Sequence, residues 1–172
     1  MARFTHPAND GSGISAVLPF HGSFYSLLDQ QATVPNVTQA VIFEQTALSQ
    51  GITVEEDENG YKTKITFENP GVYNIAFSGQ LHNRGGGGNG QDIYMWFRQN
   101  GEDIPDSNTR LTISTNSPYI IAAWNIFVVV EAGDYVQLVG YPTNTSIVLE
   151  HIEATEIQPA VPSMILTVNQ VA

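Results

Sequence analysis

The sequence contains no cysteine, so disulfide scaffolds, thiolate metal sites and cysteine nucleophiles are excluded. It is also poor in charge, because Asp, Glu, Lys and Arg make up only 13% of its 172 residues, about half the usual share. A long helical bundle needs charged residues on its solvent-exposed faces, and charge-driven disorder needs many more of them. Both classes are therefore disfavoured, while a hydrophobic content of 42% is close to the globular norm.

Basic residues are especially scarce. Six Lys and Arg stand against 17 Asp and Glu, which gives a net charge of −11 at pH 7. A surface of this sign does not attract nucleic acid and is repelled by anionic lipid. No apolar run reaches the length that spans a bilayer, and the first residues, Met1 to Pro7, include no signal-peptide core. We therefore expect neither a nucleic-acid partner nor membrane insertion.

Period-two alternation dominates the chain from Val17 onward. Residues 61–67 and 72–81 alternate cleanly, which is typical of strands. Asn59-Gly60 is a strong hairpin signal, and Asn100-Gly101 is the turn expected to close the strand at 93–99. No longer window fits a helical period better, although residues 46–50 could form one helical turn. Strands separated by Gly, Asn and Pro turns indicate an all-β sandwich or barrel. The predicted strands are 22–29, 39–45, 52–55, 61–67, 72–81, 93–99, 111–114, 119–130, 135–141, 147–153 and 164–168.

Residues 85–90 contain five glycines. A phosphate-binding loop needs a Lys and a Ser or Thr after the glycines, at the start of a helix. Here Gln91-Asp92-Ile93 begins a predicted strand instead. We interpret the run as a flexible loop, and the alternative is a close backbone approach at an assembly interface.

The candidate metal ligands do not form a pattern. The acidic runs at 55–58 and 102–106 lack the spaced acids and central glycine of a calcium loop, so solvated loops are favoured. The histidines show no metal-ligand spacing: they are His6, His21, His82 and His151. With no nucleophile motif either, we expect no catalytic residue, no metal and no cofactor.

Both tryptophans lie within apolar predicted strands. Trp96 and Trp124 are therefore interpreted as core or interface anchors, which is the common role of buried aromatic residues. Stacking on a sugar ring is the alternative.

Six segments taken in order resemble the jelly-roll family of complement globular heads and tumour-necrosis-factor-like trimers. They resemble more closely the version found as virion proteins of tailed bacteriophages, especially marine ones. The resemblance extends over residues 22–171, nearly the whole chain. The matching segments are Gly22–Tyr25, Gly71–Leu81, Trp96–Gly101 with Ile104–Ser107, Ala123–Asn125, Ala132–Tyr135 and Pro159–Val168.

The resemblance implies a ten-strand antiparallel jelly-roll sandwich that forms a homotrimer about a threefold axis. It divides the chain into an N-terminal arm or tether, residues 1–21, and a jelly-roll domain, residues 22–172. Implied core anchors are Tyr73, Phe77, Trp96 and Trp124. Implied trimer-interface residues are Asn74, Ala76, Ser78, Gln80, Ala123, Asn125 and Phe127. The alternation of 72–81 independently separates the same two faces, but it does not distinguish an interface from a solvent-exposed face.

The function implied is that of a non-enzymatic structural protein of a phage particle: a head decoration, a head fibre, or a tail or neck appendage. Such a protein is made in the host cytoplasm and ends on the virion surface. Its partners are its own copies and another virion protein, such as a capsid, portal or tail protein. The arm is the expected tether, through Arg3, Phe4, His6 and Pro7.

Two other functions remain open. One is a host receptor- or glycan-binding head of a tail fibre, with exposed aromatic residues near 85–90 or 141–144 contacting a host surface glycan. The other is a glycan depolymerase, for which Glu102 and Asp106 are the residues to substitute. The chain is short for a sandwich plus a substrate groove, so the enzyme is disfavoured.

Overall fold

The computed structural model describes residues 19–85, 90–116 and 118–172. These residues form fourteen strands, all paired antiparallel, in two seven-stranded sheets. Ten strands have five or more residues and four have two or three, so the predicted all-β, ten-strand antiparallel sandwich is confirmed. The strands are β1 (His21–Ser26), β2 (Gln30–Gln31), β3 (Gln39–Ala40), β4 (Gln45–Gln50), β5 (Ile52–Glu56), β6 (Lys62–Phe67), β7 (Gly71–Asn83), β8 (Gln91–Gln99), β9 (Glu102–Asp103), β10 (Thr109–Ile113), β11 (Tyr119–Val130), β12 (Tyr135–Pro142), β13 (Ile147–Leu149) and β14 (Met164–Gln170).

Some predicted features lie outside the described residues. These are the predicted tether residues Arg3, Phe4, His6 and Pro7, and residues 86–89 of the glycine run. Within the described ranges, no helix is long and apolar enough to cross a membrane.

The first sheet is organised around β7. One edge of β7 pairs with β11 over almost its whole length. The other edge pairs with β14 from Tyr73 to Gly79 and then with β13 from Leu81 to Asn83. β1 pairs with the far side of β14, and β4 pairs with β1. The order across the middle of this sheet is therefore β11-β7-β14-β1-β4.

The second sheet has the order β10-β8-β12-β6-β5, with β3 paired to β12 and β9 paired to β8. Two predicted turns shape its hairpins. Gly60 (φ 80°) closes the β5–β6 hairpin, where the Asp57 carboxylate accepts hydrogen bonds from the backbone of Asn59 and Tyr61. Asn100-Gly101, with φ of 50° and 86°, joins β8 to β9. Positive φ at both central residues is the geometry that favours Asn-Gly in two-residue hairpins.

The core lies between the sheets, because inward and outward positions alternate along each strand. In β7, Tyr73 and Phe77 are 0% and 5% exposed. Phe77 contacts Phe97 of the second sheet edge to face, with ring centroids 5.7 Å apart. Tyr73 packs on Phe67 at 4.7 Å, and its hydroxyl donates to the Asn69 carbonyl at 3.0 Å. The buried phenol is thus satisfied, as a buried polar group must be.

The two tryptophans occupy different environments. Trp124 is half-buried and packs edge-on against Phe77, with centroids 4.4 Å apart. Trp96 directly precedes the buried Phe97 on β8, so its side chain lies on the opposite side of the sheet. Its Nε1 donates to the Asp103 carboxylate at 2.7 Å. This placement corrects the prediction that Trp96 is a core anchor. Side chains alternate along a strand, so a residue next to a core position faces away from the core.

Residues 39–50 also differ from the prediction. The sequence predicts a strand at 39–45 and offers a helical turn at 46–50 only as a possibility. Instead, β3 (Gln39–Ala40) pairs with β12 of the second sheet, and β4 (Gln45–Gln50) pairs with β1 of the first sheet. The segment crosses between the sheets, which interrupts its alternation. Five of the six β4 residues are exposed, so no burial pattern marked this edge strand.

Gly140 in β12 offers a stabilising substitution. It borders a cavity of about 40 Å³, and a Cβ added there would meet Ile93 Cδ1 at 3.5 Å, an ordinary contact. Gly140→Ala should raise the free energy of unfolding by about 0.5–1 kcal/mol, because it restricts the unfolded chain and fills part of the cavity. Urea denaturation measures the change. A decrease would contradict the prediction.

Gly133→Ala is the matched control. An added Cβ there would meet open space, but φ is 90°. Backbone strain alone should then lower the stability by about 1 kcal/mol.

Candidate functional site

The outer surface of the first sheet collects all seven residues predicted to face a partner. We call it the first-sheet face: the outward side chains of β1, β4, β7, β11 and β14. The register pairs Ala123 with Ser78, Asn125 with Ala76, and Phe127 with Asn74. These six residues, with Gln80, therefore lie together on two neighbouring strands. The β7 members are half-buried, and the β11 members are exposed.

Large apolar side chains extend this face. Phe127 and Val129 are 64% and 70% exposed, and Ile121 is 59% exposed on the same strand. Ile165 of β14 lies opposite Ser78 and is 40% exposed. The alternation of β11 predicts that Ile121 and Val129 share a side with Phe127, so sequence reasoning could have included them. Only the pairing of β14 with β7 shows that Ile165 belongs to this face.

The first sheet has no charged residue in any of its strands. β1, β2, β4, β7, β11, β13 and β14 contain no Asp, Glu, Lys or Arg. Strands of the second sheet carry both signs, for example Glu55, Lys64 and Arg98. Covering the first-sheet face would therefore desolvate no ionised strand residue, which is the costly step in burying a surface.

Small and amide side chains occupy the middle of the face. Ala76, Ser78 and Ala123 allow close approach of another chain because they project little from the sheet. Asn125 Nδ2 donates to Asn74 Oδ1 at 2.8 Å, which holds both amides across β11 and β7. An amide retains further donors and acceptors when it makes one such bond, so the pair can bond to a partner as well.

An ionic cluster borders the face where β7 ends. The Arg84 guanidinium contacts the carboxylates of Asp29 and Glu150, each at 2.7 Å. His82 Nδ1 lies 2.8 Å from Glu150 Oε1, and its ring stacks on exposed Tyr119 at 4.2 Å. Charge is thus concentrated at the rim, and the middle of the face is free of it.

Partial burial raises the pKa of both acids in this cluster, but the hydrogen bonds and charges of their partners lower it by more. Burial raises the pKa of Glu150, while hydrogen bonds and charge from Arg84 and His82 lower it, and the net shift is below its ordinary value. The pKa of Asp29 is lowered against burial by Arg84 and by the His151 backbone N–H. The same contacts raise the pKa of Arg84.

Other perturbed acids have structural partners. The Trp96 indole, followed by Arg98, lowers the pKa of Asp103. The Glu131 backbone N–H and the Asn100 amide lower the pKa of Asp134 in the β11–β12 turn. Each carboxylate receives hydrogen bonds that fix a turn or a strand edge, which accounts for its shift without a catalytic role.

The remaining candidate residues are dispersed. Glu102 is exposed in β9, and Asp106 follows in a turn with φ 61°. The ring of His21 contacts the Pro19 carbonyl, and that of His151 contacts the Val161 carbonyl. Among the described residues, no three His, Asp or Glu side chains come together as a metal site would require.

Neither a family model nor a curated protein matches the sequence. Solved structures do match. The crystal structure of murine APRIL at pH 5.0 aligns with a TM-score of 0.56 and 10% identity, over 89% of this chain and 99% of that one. The crystal structure of murine APRIL at pH 8.5 aligns with a TM-score of 0.52 and 11% identity, over the same shares.

The chain has the tumour-necrosis-factor-like jelly-roll fold. At this level of identity the likeness establishes the fold alone. The part of the predicted resemblance that concerns fold is therefore confirmed.

The rim cluster predicts a pH-dependent contribution to stability. Since the pKa of Glu150 is lower in the folded state, its contribution is complete above about pH 5 and is lost as the pH falls through the folded value. Glu150, whose side chain is 14% exposed, should contribute about 1 kcal/mol at pH 7. Glu150→Gln should remove this contribution, so the free energies of unfolding of wild type and variant, measured by urea denaturation, should converge as the pH falls below the folded-state pKa of Glu150.

Glu153→Gln provides the control. The Glu153 side chain is 91% exposed, so its removal should change stability little at any pH. An equal effect of both substitutions would show that the rim cluster is not the source.

Proposed function

We propose that this protein is a non-enzymatic structural subunit that assembles as a homotrimer through the first-sheet face. The observation that carries the proposal is an apolar sheet face with no charged strand residue, in a chain of net charge −11. A solvent-exposed sheet face normally bears charge that keeps it soluble and discourages association. Interface cores, by contrast, are depleted of charge and enriched in aromatic residues.

The energetics favour burial of this face. Full burial of a Phe, Val or Ile side chain contributes about 1.5–3 kcal/mol, and Phe127, Val129 and Ile121 are all more than half exposed. Three copies would carry 3 × −11 = −33 charges, so self-association requires the acids to lie away from the contact. The segregation of charge to the second sheet and the loops meets that requirement.

The tumour-necrosis-factor-like jelly-roll fold supports the threefold arrangement. In the expected packing, Asn74, Ala76 and Ser78 face the axis while Tyr73 stays in the core. Ala76 and Ser78 leave room for three sheets to converge. The Asn74–Asn125 pair supplies polar groups that can bond across copies, so that the axis is not lined by unpaired amides.

The wider role we propose is that of a bacteriophage virion protein: a head decoration, a head fibre, or a tail or neck appendage. The segments that resemble such proteins support it. Gly71–Leu81 forms most of β7, the central strand of the first sheet, and Pro159–Val168 leads into its neighbour β14. The resemblance thus coincides with the strands that carry the first-sheet face. The protein would be made in the bacterial cytoplasm and act on the virion surface.

The trimer is tested by molar mass. Light scattering behind a sizing column should give 3 × 18.8 = 56.4 kDa for the wild type. Ala123→Glu places a carboxylate beside Ser78 on the face, where three copies would bring like charges together without solvent. The variant should run as the 18.8 kDa monomer with an unchanged circular dichroism spectrum.

Ala154→Glu is the matched control, because Ala154 is exposed in the β13–β14 loop and is not on a strand of the first-sheet face. It should remain trimeric. A wild-type monomer at micromolar concentration, or a trimer that tolerates Ala123→Glu, would overturn the assembly mode.

Changes in the predicted N-terminal arm test docking to the phage particle. Deletion of residues 2–16 should leave a folded trimer, because β1 begins at His21, but should abolish cosedimentation with phage particles. A truncated trimer that still cosediments would refute the tether while leaving the assembly intact. Substitution of Arg3 and Phe4 by Ala in the full chain should weaken cosedimentation in the same direction.

A further inference from the structure

A polar groove lies on the second sheet and extends onto β2 (Gln30–Gln31) of the first sheet. Its volume is about 680 Å³, within the range of small-molecule sites. It runs from the β2–β3 segment across β6 and β12 to the β8–β9 turn. We propose that this groove binds a neutral oligosaccharide, a function separate from self-assembly through the first sheet.

The floor of the groove is a connected set of polar groups. Gln137 is only 8% exposed, and its Nε2 donates to Thr63 Oγ1 at 2.8 Å. Thr63 Oγ1 donates in turn to Asp57 Oδ2 at 3.3 Å. Buried polar side chains linked in this way are held in one geometry, which is what recognition of a hydroxyl pattern requires.

The same carboxylate positions an exposed ring at the groove wall. Asp57 Oδ1 accepts hydrogen bonds from the backbone N–H of Asn59 and Tyr61, at 2.9 and 3.1 Å. This fixes the backbone that carries Tyr61, whose side chain is 56% exposed. A tyrosine ring of this kind offers a flat apolar surface with a polar tip at low entropic cost. The C–H face of a pyranose ring matches that surface.

A second ring, Tyr135, lies under a cation. Lys64 Nζ is 5.1 Å from the Tyr135 ring centroid, a cation–π distance. The ammonium group can donate three hydrogen bonds and retains donors for a ligand hydroxyl. Arg98, paired with Asp103 at 2.9 Å, lies at the same wall.

The charge balance identifies the ligand class. Three carboxylates, Asp29, Asp57 and Glu58, and two cations, Lys64 and Arg98, line the groove. Their near balance selects neither an anion such as phosphate nor a strong cation. Amide and hydroxyl side chains make up most of the remaining polar lining. Planar polar groups around exposed tyrosine are suited to a neutral ligand rich in hydroxyl groups, that is, a saccharide.

This site differs from the loops first considered for glycan binding. Those were 85–90 and 141–144, of which 86–89 lie outside the described residues. Tyr141 packs against Tyr94 at 6.1 Å, and neither ring lines the groove.

The test is saturation-transfer NMR on the full-length protein with maltotriose, cellotriose, chitotriose and lactose as probes, and choline as a cationic comparison. At least one saccharide should show saturation transfer from the protein, and choline should show none. Tyr61→Ala should weaken the affinity for that saccharide about tenfold, because it removes the stacking surface. Tyr61→Phe, which keeps the ring, should bind within about twofold of wild type.

Tyr94→Ala is the control for loss of a tyrosine outside the groove, on β8 of the second sheet, and its affinity should be unchanged. The proposal would be overturned by saturation transfer to choline alone or by its absence for every saccharide. Equal losses of saccharide affinity in Tyr61→Ala and Tyr94→Ala would overturn it as well. Molar mass is measured on every variant, so that a change of oligomeric state is distinguished from a change at the groove.

Discussion

The arrangement depends on the register of β7, which is paired along both edges and used on both faces. Tyr73 and Phe77 point into the core, while Asn74, Ala76 and Ser78 form the middle of the first-sheet face. A slip of one residue would exchange the two sets, placing an amide and small side chains against the second sheet and aromatic rings outside. The size and polarity of alternate residues therefore specify a single register, and the positions of β11 and β14 follow from it through the pairings Ala123–Ser78 and Ser78–Ile165.

Charge is distributed to suit that arrangement. A sandwich with both outer faces in solvent has no reason to exclude ionised residues from one sheet, yet none occurs in the first-sheet strands. The nearest ion pairs are those of Arg84 with Asp29 and Glu150 at the rim. They lie beside the end of β7 and not among the central residues of the face, where an unpaired carboxylate in a trimer would be costly.

The second sheet has the opposite character. Its outward residues include Trp96, Arg98 and Lys64, each in contact with an acid or an aromatic ring. The groove that begins beside Tyr61 and Gln137 is polar, and three carboxylates and two cations line it. The residues proposed to meet at the trimer axis, on β7 and β11, are not part of the groove lining. The proposed self-assembly and the proposed ligand binding are compatible in one small domain because no residue of β7 or β11 lines the groove.

The sequence by itself determined the strand content, the Asn59-Gly60 and Asn100-Gly101 turns, and the two faces of β7. These features are local, since alternation and turn chemistry are set by neighbouring residues. The tertiary structure alone decided the rest. Alternation separates Trp96 from Phe97 on β8, but only the packing of Phe97 against Phe77 of the first sheet decides which of the two lies in the core. Ile165 joins the first-sheet face through pairing with β7, and Gln137 meets Thr63 across 74 positions of the chain. Such contacts depend on which strands become neighbours, and that choice follows from burial and register over the whole sandwich.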